Sequence, residues 1–422
     1  MKIFLDMVGC RLNQAEIEQM ARQFRAEGHN IVAAAGEADF VVVNTCSVTA
    51  QAASDSRQKI RRAAKAGAAE IIVTGCWSTL QPAQAAELPH VIHVISNEQK
   101  DQLVANLPNL PGELHDLEPI SRLPIPGLRQ RTRAFIKVQD GCENACTFCI
   151  TTIARGASRS RPVEQVLTEI RAALAGGAQE IVLTGVHLGS WGQDLNQHLR
   201  HLIAQILMET DVPRLRLSSL EPWDLDEDFF SLWADARLLP HLHLPLQAGS
   251  ATTLKRMLRK TSPESFRQLV QAARKAIPNA AITTDIIAGF PAETEAEFSE
   301  TLTFINEMRF AGGHVFTYSA RPGTPAARIR EQIPPEIRKR RSTMLHEAFA
   351  KMSAAYRAQF IGQNLPVLWE ASAERNERGW KIAGLTGNYI RVTANAPELR
   401  WNQIDSVRLL NLTEDGLSGE IL

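Results

Sequence analysis

Six cysteines carry the clearest chemistry in this sequence of 422 residues, and three of them stand close together in the segment GCENACTFCI. Cys142, Cys146 and Cys149 have the spacing C-x3-C-x2-C. Three thiolates this close can hold one small centre of a soft metal. A [4Fe–4S] cluster normally takes four thiolates, so three leave one iron with an open position, and an open position is suited to chemistry.

Two other interpretations of this segment are a zinc knuckle and a set of inert, buried cysteines. A structural zinc site needs a fourth cysteine or histidine nearby, and none follows Cys149 within twenty residues. The spacing therefore favours an iron–sulfur cluster over zinc or simple burial.

The other three cysteines, Cys10, Cys46 and Cys76, are far apart, but each follows a strand-like segment: KIFLDMV, DFVVVNT and EIIVTG. Loops at the carboxyl ends of neighbouring parallel strands converge on one crevice. The positions predict a second, auxiliary iron–sulfur cluster held by these three thiols. The alternative is three separate buried cysteines, which are common in proteins.

The hydrophobic pattern predicts an α/β protein with three domains. Residues 1–115 alternate strands and helices, which indicates a parallel sheet covered on both faces. Residues 128–355 contain six strand-like segments, most of them separated by helical stretches, and this pattern predicts a partial, TIM-like (βα)6 barrel. Residues 356–422 read as a small all-β barrel. The segment from Leu107 to Pro126 reads as a linker.

In a barrel of this kind the site lies at the carboxyl ends of the strands. Polar residues and glycines at those ends are the candidates for binding a cofactor: Gly185, Ser219, Gln247 and Asp285. Each alone is more often explained by turn chemistry or core polarity.

The motif CxxxCxxC, with Phe148 before its last cysteine, resembles the signature of the radical S-adenosylmethionine (SAM) superfamily. Within it, motifs along the whole chain resemble the methylthiotransferase family: GC at 9–10 with NQ at 13–14, ARGASRSR, GVHLG, SSLEP, LQAGS, DIIAGFPAETE and YSARPGTPA. The segment GLTGNYIRV at 384–392 resembles a TRAM domain. Two positions depart from the family pattern: Ala292 stands where glycine is usual, so the turn there is expected to differ, and Thr152 stands where proline is frequent.

The resemblance implies two [4Fe–4S] clusters, held by Cys10, Cys46 and Cys76 and by Cys142, Cys146 and Cys149. It implies SAM as a second cofactor. SAM is expected to bind at the open iron of the cluster held by Cys142, Cys146 and Cys149 and to be cleaved there to a 5′-deoxyadenosyl radical. Another SAM molecule methylates a sulfur at the auxiliary cluster, and the radical removes hydrogen from the carbon that receives the methylthio group. The implied partners are a tRNA anticodon stem-loop, a flavodoxin- or ferredoxin-type electron donor and a sulfur donor.

The order Gly-Cys-Arg-Leu-Asn-Gln, followed by Glu16, resembles the branch that modifies C2 of N6-threonylcarbamoyladenosine 37 in tRNA. Two other branches act on isopentenyladenosine in tRNA and on an aspartate of a ribosomal protein. A rival of another class is a non-enzymatic iron–sulfur protein that binds RNA.

Charge gives only local support for an RNA partner, since the formal net charge is +0. The residues from 356 on hold seven Lys/Arg against eight Asp/Glu, so RNA binding by that module is in doubt. Four basic groups flank the predicted site and are expected to contact phosphates: Arg122, Arg129, Arg131, Arg133 and Lys137; Arg155, Arg159 and Arg161; Lys255, Arg256, Arg259 and Lys260; and Arg338–Arg341. The sequence shows no signal peptide and no apolar run long enough to span a membrane, so we expect a cytoplasmic protein without a membrane partner.

Overall fold

The computed structural model describes residues 1–68, 70–105, 132–377 and 379–422. Its first part is a five-stranded parallel sheet of order β2-β1-β3-β4-β5. The strands are β1 (Lys2–Met7), β2 (Asn30–Ile31), β3 (Phe40–Thr45), β4 (Glu70–Gly75) and β5 (Val91–Ile95). The helices are α1 (Arg11–Ala26), α2 (Ala50–Lys65), α3 (Cys76–Leu80) and α4 (Pro82–Ala86).

Helices cover this sheet on both faces, as the alternating pattern predicts. Along β3, Val42 packs on the side of Phe24 in α1, whereas Val41 and Val43 pack on the side of Ile60 in α2. Successive side chains of a strand point to opposite faces, so an uninterrupted apolar strand needs a helix on each side.

The second part contains six parallel strands in two three-stranded sheets, of order β10-β9-β6 and β11-β12-β13. An isolated bridge between Ser219 and His243 joins the two sheets. The strands are β6 (Arg133–Lys137), β9 (Glu180–Thr184), β10 (Leu215–Leu217), β11 (His241–His243), β12 (Ala281–Ala288) and β13 (Gly312–Thr317), and a short hairpin consists of β7 (Gln139–Asp140) and β8 (Arg159–Ser160).

One face of these strands packs against helices in a single large apolar core. The helices of this part are α5 (Thr151–Arg155), α6 (Val163–Ala175), α7 (Leu199–Glu209), α8 (Ala251–Arg256), α9 (Pro263–Ala276), α10 (Glu295–Met308) and α11 (Pro335–Ala358). The parallel strands confirm the α/β class, whereas the TIM-like geometry stays a prediction.

The opposite face of the six strands is partly filled by the first domain. Ala15 of α1 packs on Phe135 of β6 and Val182 of β9, so α1 covers this half of the face. At the other edge, His314 and Phe316 of β13 remain exposed. The uncovered part therefore lies along β12 and β13, whereas β11 is buried throughout.

The last part is a closed antiparallel and parallel barrel of order β14-β15-β16-β18-β17. Its strands are β14 (Asn364–Asn376), β15 (Gly379–Thr386), β16 (Arg391–Ala396), β17 (Ile404–Leu412) and β18 (Leu417–Ile421). The predicted small all-β barrel is confirmed; the sequence pattern did not identify β18.

Tyr389, in the turn before β16, joins all three parts. Its hydroxyl oxygen accepts hydrogen bonds from Arg11 of α1 at 2.9 Å and from Arg133 of β6 at 3.1 Å. Its ring stacks on His241 with centroids 4.7 Å apart, and the guanidinium of Arg216 lies 4.6 Å from the ring centroid. Burial alone would raise the pKa of Tyr389, but the cations Arg11 and Arg133 hold it below its usual value.

The predicted linker Leu107–Pro126, together with Arg122, Arg129 and Arg131, lies outside the described residues. Among the residues that are described, no helix is both long and apolar enough to cross a membrane.

Candidate iron–sulfur sites

The structure places Cys10, Cys46 and Cys76 at the carboxyl ends of the adjacent strands β1, β3 and β4. Cys46 and Cys76 are buried and Cys10 is exposed, and all three are free thiols. Cys46 interacts electrostatically with both of the others. A side chain at Gly9 would place a Cβ 2.7 Å from the Cys46 sulfur, and the backbone there has φ +112°. Only glycine fits this approach of the Cys10 loop to Cys46.

Burial raises the pKa of the Cys46 thiol to about 11. Without a metal this sulfur is therefore neutral at physiological pH. A metal ligand must be a thiolate, so binding a cluster here would release a proton.

A buried group of charged side chains, the interdomain charge network, lies directly behind the first three cysteines. Glu16 of α1 pairs with Lys100 at 2.8 Å and with Arg155 of α5 at 2.9 Å, and Arg155 also pairs with Asp140 at 2.8 Å. Lys137 lies 3.6 Å from Asp140. Burial would raise the pKa of Glu16, but Arg155 and Lys100 hold it well below its usual value.

These ion pairs connect the first domain to the second, because Glu16 and Lys100 belong to one and the other three residues to the other. All five side chains are less than a tenth exposed. Charges this deeply buried are tolerated only when they are paired and hydrogen-bonded. The network thus fixes the relative position of the two domains.

The second triad lies in the loop between β7 and α5, and Cys142, Cys146 and Cys149 are each half-buried. Burial raises the pKa of Cys146 and of Cys149. Backbone amides already point at two of the sulfurs: Asn144 N lies 3.5 Å from Cys142 Sγ, and Thr151 N lies 3.4 Å from Cys149 Sγ.

Two residues beside this triad form an ion pair that sequence reasoning did not single out. Arg259 donates to Glu221 at 2.6 Å, and its guanidinium also lies 3.7 Å from Cys146 Sγ. The same guanidinium stacks over the ring of Trp223, 4.4 Å from its centroid. Arg259 was predicted to contact phosphate, but it is buried against the cysteine loop and is not available for that role.

The two cysteine sites are joined by a short contact between helices. Helix α5 begins two residues after Cys149 and packs against α3, which begins at Cys76. Asn97 spans this contact: its amide donates to the carbonyl of Ala154 at 2.7 Å and lies 3.7 Å from Cys76 Sγ.

Of the four residues predicted to bind a cofactor, Gly185, Ser219 and Gln247 follow the ends of β9, β10 and β11, whereas Asp285 lies inside β12. Gly185 follows β9, and the space that a side chain would fill there is occupied by Gln139. The backbone N–H of Gln247, in a left-handed conformation at φ 77°, donates to the carbonyl of Asp285 at 2.8 Å. Ser219 bridges to His243. Their contact with SAM stays a prediction.

The predicted basic groups are divided between the interior and the surface: Lys137, Arg155, Arg259 and Arg341 are buried, whereas Arg159, Lys255, Lys260, Lys339 and Arg340 are exposed. Arg155 and Arg341 are buried in ion pairs, and Arg256 pairs with Glu297 at 2.9 Å. Arg161 pairs with Glu169. Sequence alone could not show this, because the acidic partners are mostly distant along the chain.

The two departures from the family motifs are accommodated. Ala292 keeps a left-handed backbone at φ 60°, so the turn survives the loss of glycine. Such a conformation costs an alanine about 1 kcal/mol. The Thr152 hydroxyl donates to the Asn144 carbonyl at 3.3 Å, inside the cysteine loop.

The donor sets fit the groups they are expected to hold. Each site offers three free thiols and no disulfide competes for them. Beside the second site, the indole nitrogen of Trp223, whose ring lies against Arg259, is buried and lacks a hydrogen-bond partner among the described residues. Unsatisfied buried polar atoms of this kind are expected where a polar ligand belongs.

Comparison with known proteins agrees with this arrangement. Residues 2–96 match the model of the uncharacterized protein family UPF0004, and residues 136–305 match that of the radical SAM superfamily. The chain is 35% identical to the threonylcarbamoyladenosine tRNA methylthiotransferase MtaB of Bacillus subtilis, over 96% of this chain and 92% of that protein. It is 31% identical to the tRNA-2-methylthio-N(6)-dimethylallyladenosine synthase of Maricaulis maris, over 100% and 97%.

Among solved structures, the radical SAM methyltransferase TsrM of Kitasatospora setae shares the fold, with a TM-score of 0.59 at 16% identity. The match covers 77% of this chain and 75% of that one. From these relatives and the two cysteine sites it follows that the chain belongs to the radical SAM methylthiotransferase family, whose cofactors are SAM and two [4Fe–4S] clusters.

Proposed function

We propose that this enzyme inserts a methylthio group at C2 of N6-threonylcarbamoyladenosine 37 in the anticodon loop of tRNA. The observation that carries the proposal is the pair of cysteine triads joined through α3 and α5. The substrate rests on the MtaB relatives of Bacillus subtilis and Thermotoga maritima, each 35% identical.

Cys142, Cys146 and Cys149 hold the cluster that binds SAM, and Cys10, Cys46 and Cys76 hold the auxiliary cluster. Together with SAM, the cluster at Cys142, Cys146 and Cys149 supplies the one-electron chemistry that removes hydrogen from an unactivated C–H bond. General acids and bases could not do so at C2 of adenine. The role of the Arg259–Glu221 pair is to fix the Cys142–Cys149 loop, because Arg259 contacts both Cys146 and the strand end at Glu221.

The uncovered face along β12 and β13 is the entrance for the nucleoside, since α1 closes the half of the face at β6 and β9. A base in a single-stranded loop can be splayed out into such a pocket. We assign the closed barrel of β14–β18 as a TRAM domain. The domains divide at 1–115, 128–355 and 356–422.

The partners are the tRNA anticodon stem-loop, a flavodoxin- or ferredoxin-type electron donor and a donor of the inserted sulfur. The test is mass analysis of nucleosides from tRNA that carries threonylcarbamoyladenosine, incubated with the reconstituted enzyme, SAM and a reductant. We expect the methylthio derivative of this nucleoside.

A matched tRNA carrying isopentenyladenosine serves as the control. Methylthiolation of that control alone would move the chain to the branch of the Maricaulis maris relative. If 5′-deoxyadenosine forms but neither tRNA is modified, a protein substrate such as a ribosomal aspartate becomes the better assignment. If SAM is not cleaved at all, the protein is a non-enzymatic iron–sulfur binder.

A further inference from the structure

Three side chains that could bind a metal converge on one side of β11, β12 and β13, at the border between buried and exposed residues. Asp285 Oδ1 lies 3.1 Å from His243 Nε2 and 3.0 Å from His314 Nδ1. All three ligand atoms lie within 4.8 Å of one another. Strand register causes this, because Asp285 pairs with His314 and Thr283 pairs with His243. Thr283 and Asp285 are two apart and therefore share a face.

We propose that His243, Asp285 and His314 bind one divalent transition-metal ion such as Zn²⁺ or Fe²⁺, which gives Asp285 a role other than its predicted contact with SAM. Two imidazoles and a carboxylate are ligands that suit these ions. Bonds of about 2.1 Å place tetrahedral ligand atoms about 3.4 Å apart. The two separations of 3.0 and 3.1 Å need only a small widening to accept an ion.

A neighbouring hydroxyl holds His243 in the orientation that a ligand needs. His243 Nδ1 lies 2.9 Å from Thr283 Oγ1, which in turn lies 3.3 Å from His241 Nε2 and 3.5 Å from the carbonyl of Leu242. When Thr283 donates to either of these acceptors, its oxygen accepts from Nδ1–H of His243, and the lone pair of Nε2 is directed at the site. Metal-binding histidines are commonly fixed by such a hydrogen bond from the other ring nitrogen.

His241, on the same side of the strands, is not part of the site, because its ring is stacked on Tyr389 and its Nε2 lies 3.3 Å from the Thr283 hydroxyl.

The site can be reached from solvent. The His314 side chain is 65% exposed, whereas that of His243 is 9% exposed, so an ion can enter at β13 and be held against β11. Three protein ligands leave at least one coordination position free. That position faces the uncovered side and suits an oxygen ligand such as water or a carboxylate.

The test is isothermal titration of Zn²⁺ into protein whose two clusters have been reconstituted, with iron content measured before and after. We expect one Zn²⁺ per chain with no loss of iron. His314→Ala, at an exposed position, should weaken binding at least about tenfold, and Thr283→Val about 10–100-fold. The matched control is His201→Ala, an exposed histidine on α7 whose loss should change nothing.

Equal Zn²⁺ affinity in the wild-type and His314→Ala proteins would overturn the proposal, and so would the absence of stoichiometric binding. In either case the three side chains form a hydrogen-bonded group without a metal. The titration contains no tRNA, so its result does not depend on the proposed nucleoside substrate.

Discussion

Cys142, Cys146 and Cys149 lie in one short loop, whereas Cys10, Cys46 and Cys76 follow three separate strands of a parallel sheet. Closing a short loop around a ligand costs little chain entropy. Bringing together residues as distant as Cys10 and Cys76 requires that the whole sheet be folded first. The site of Cys10, Cys46 and Cys76 (the sheet site) therefore depends on tertiary structure. The site of Cys142, Cys146 and Cys149 (the loop site) depends mainly on its own loop.

The charged side chains around the two sites also differ, in the number of domains that supply them. Beside the loop, the Arg259–Glu221 pair contacts Cys146, and His187, which pairs with Asp224 at 2.6 Å, lies 3.3 Å from the Asn144 side chain. Behind the sheet site, three cations and two carboxylates form the interdomain charge network. The sheet site is thus held by contacts from two domains, and damage to either domain should reach it.

The sharpest way to separate the two sites is to remove one thiol from each. Cys146→Ala should reduce 5′-deoxyadenosine formation to background, because the cluster that binds SAM loses a ligand. The auxiliary cluster should remain, with about four irons per chain instead of about eight. Iron and sulfide analysis with product chromatography checks both values; loss of all iron would show that the sites do not assemble independently.

Cys46→Ala should have the complementary effect. Methylthio product should disappear, while SAM cleavage stays within about twofold of the wild-type rate. The same two assays apply. If this variant still makes product, the assignment of Cys46 to the auxiliary cluster is wrong.

Arg155→Met tests whether the interdomain charge network supports the sheet site. It leaves Glu16 and Asp140 buried without their shared cation, which should cost about 3–5 kcal/mol. We expect a lower unfolding temperature by circular dichroism and weaker retention of iron at the sheet site than at the loop site. Arg159→Met, at an exposed arginine four residues away, is the control. An unchanged unfolding temperature would contradict the role given to the network.

Tyr389→Phe probes the same dependence from the third domain. Arg11 and Arg133 each lose an acceptor, at a cost of about 1–3 kcal/mol. Since Arg11 follows Cys10, we expect methylthiolation to fall more than SAM cleavage. A parallel fall in both activities would show that Tyr389 stabilises the fold without acting on the sheet site.

Ala292→Gly, outside both sites, gives the smallest effect and calibrates the stability measurements. Relief of the left-handed backbone should stabilise the protein by about 0.5–1 kcal/mol. Thermal unfolding would show a small rise in midpoint. A decrease would mean that the alanine methyl makes contacts worth more than the strain.

Much of the first sheet could be predicted from the sequence because each cysteine follows an apolar run: the segments KIFLDMV, DFVVVNT and EIIVTG contain β1, β3 and β4. The exact start of α1 is harder to predict, because the helix begins at Arg11 and Asn13 is its third residue. Asparagine is a frequent helix cap. Here its amide instead donates to the carbonyls of Val8 and Thr45, at 2.7 and 3.1 Å.

The sequence could not reveal the functions of buried charges. Arg155 and Arg259 stand in basic runs, and such runs usually face solvent. Their partners Glu16 and Glu221 lie 139 and 38 residues away, so only the folded chain brings each pair together. The convergence of His243, Asp285 and His314 was hidden for the same reason, because it depends on the register of three strands.

The position of Tyr389 has a consequence for protein engineering. A chimera that exchanged the last sixty or so residues with those of a relative would also replace the side chain that orients Arg11, the neighbour of Cys10. To keep Cys10 in place, the exchanged barrel would need a side chain at position 389 that still contacts Arg133 and His241 of the recipient chain. The carboxy-terminal barrel therefore cannot be exchanged between relatives without regard to the cysteine site.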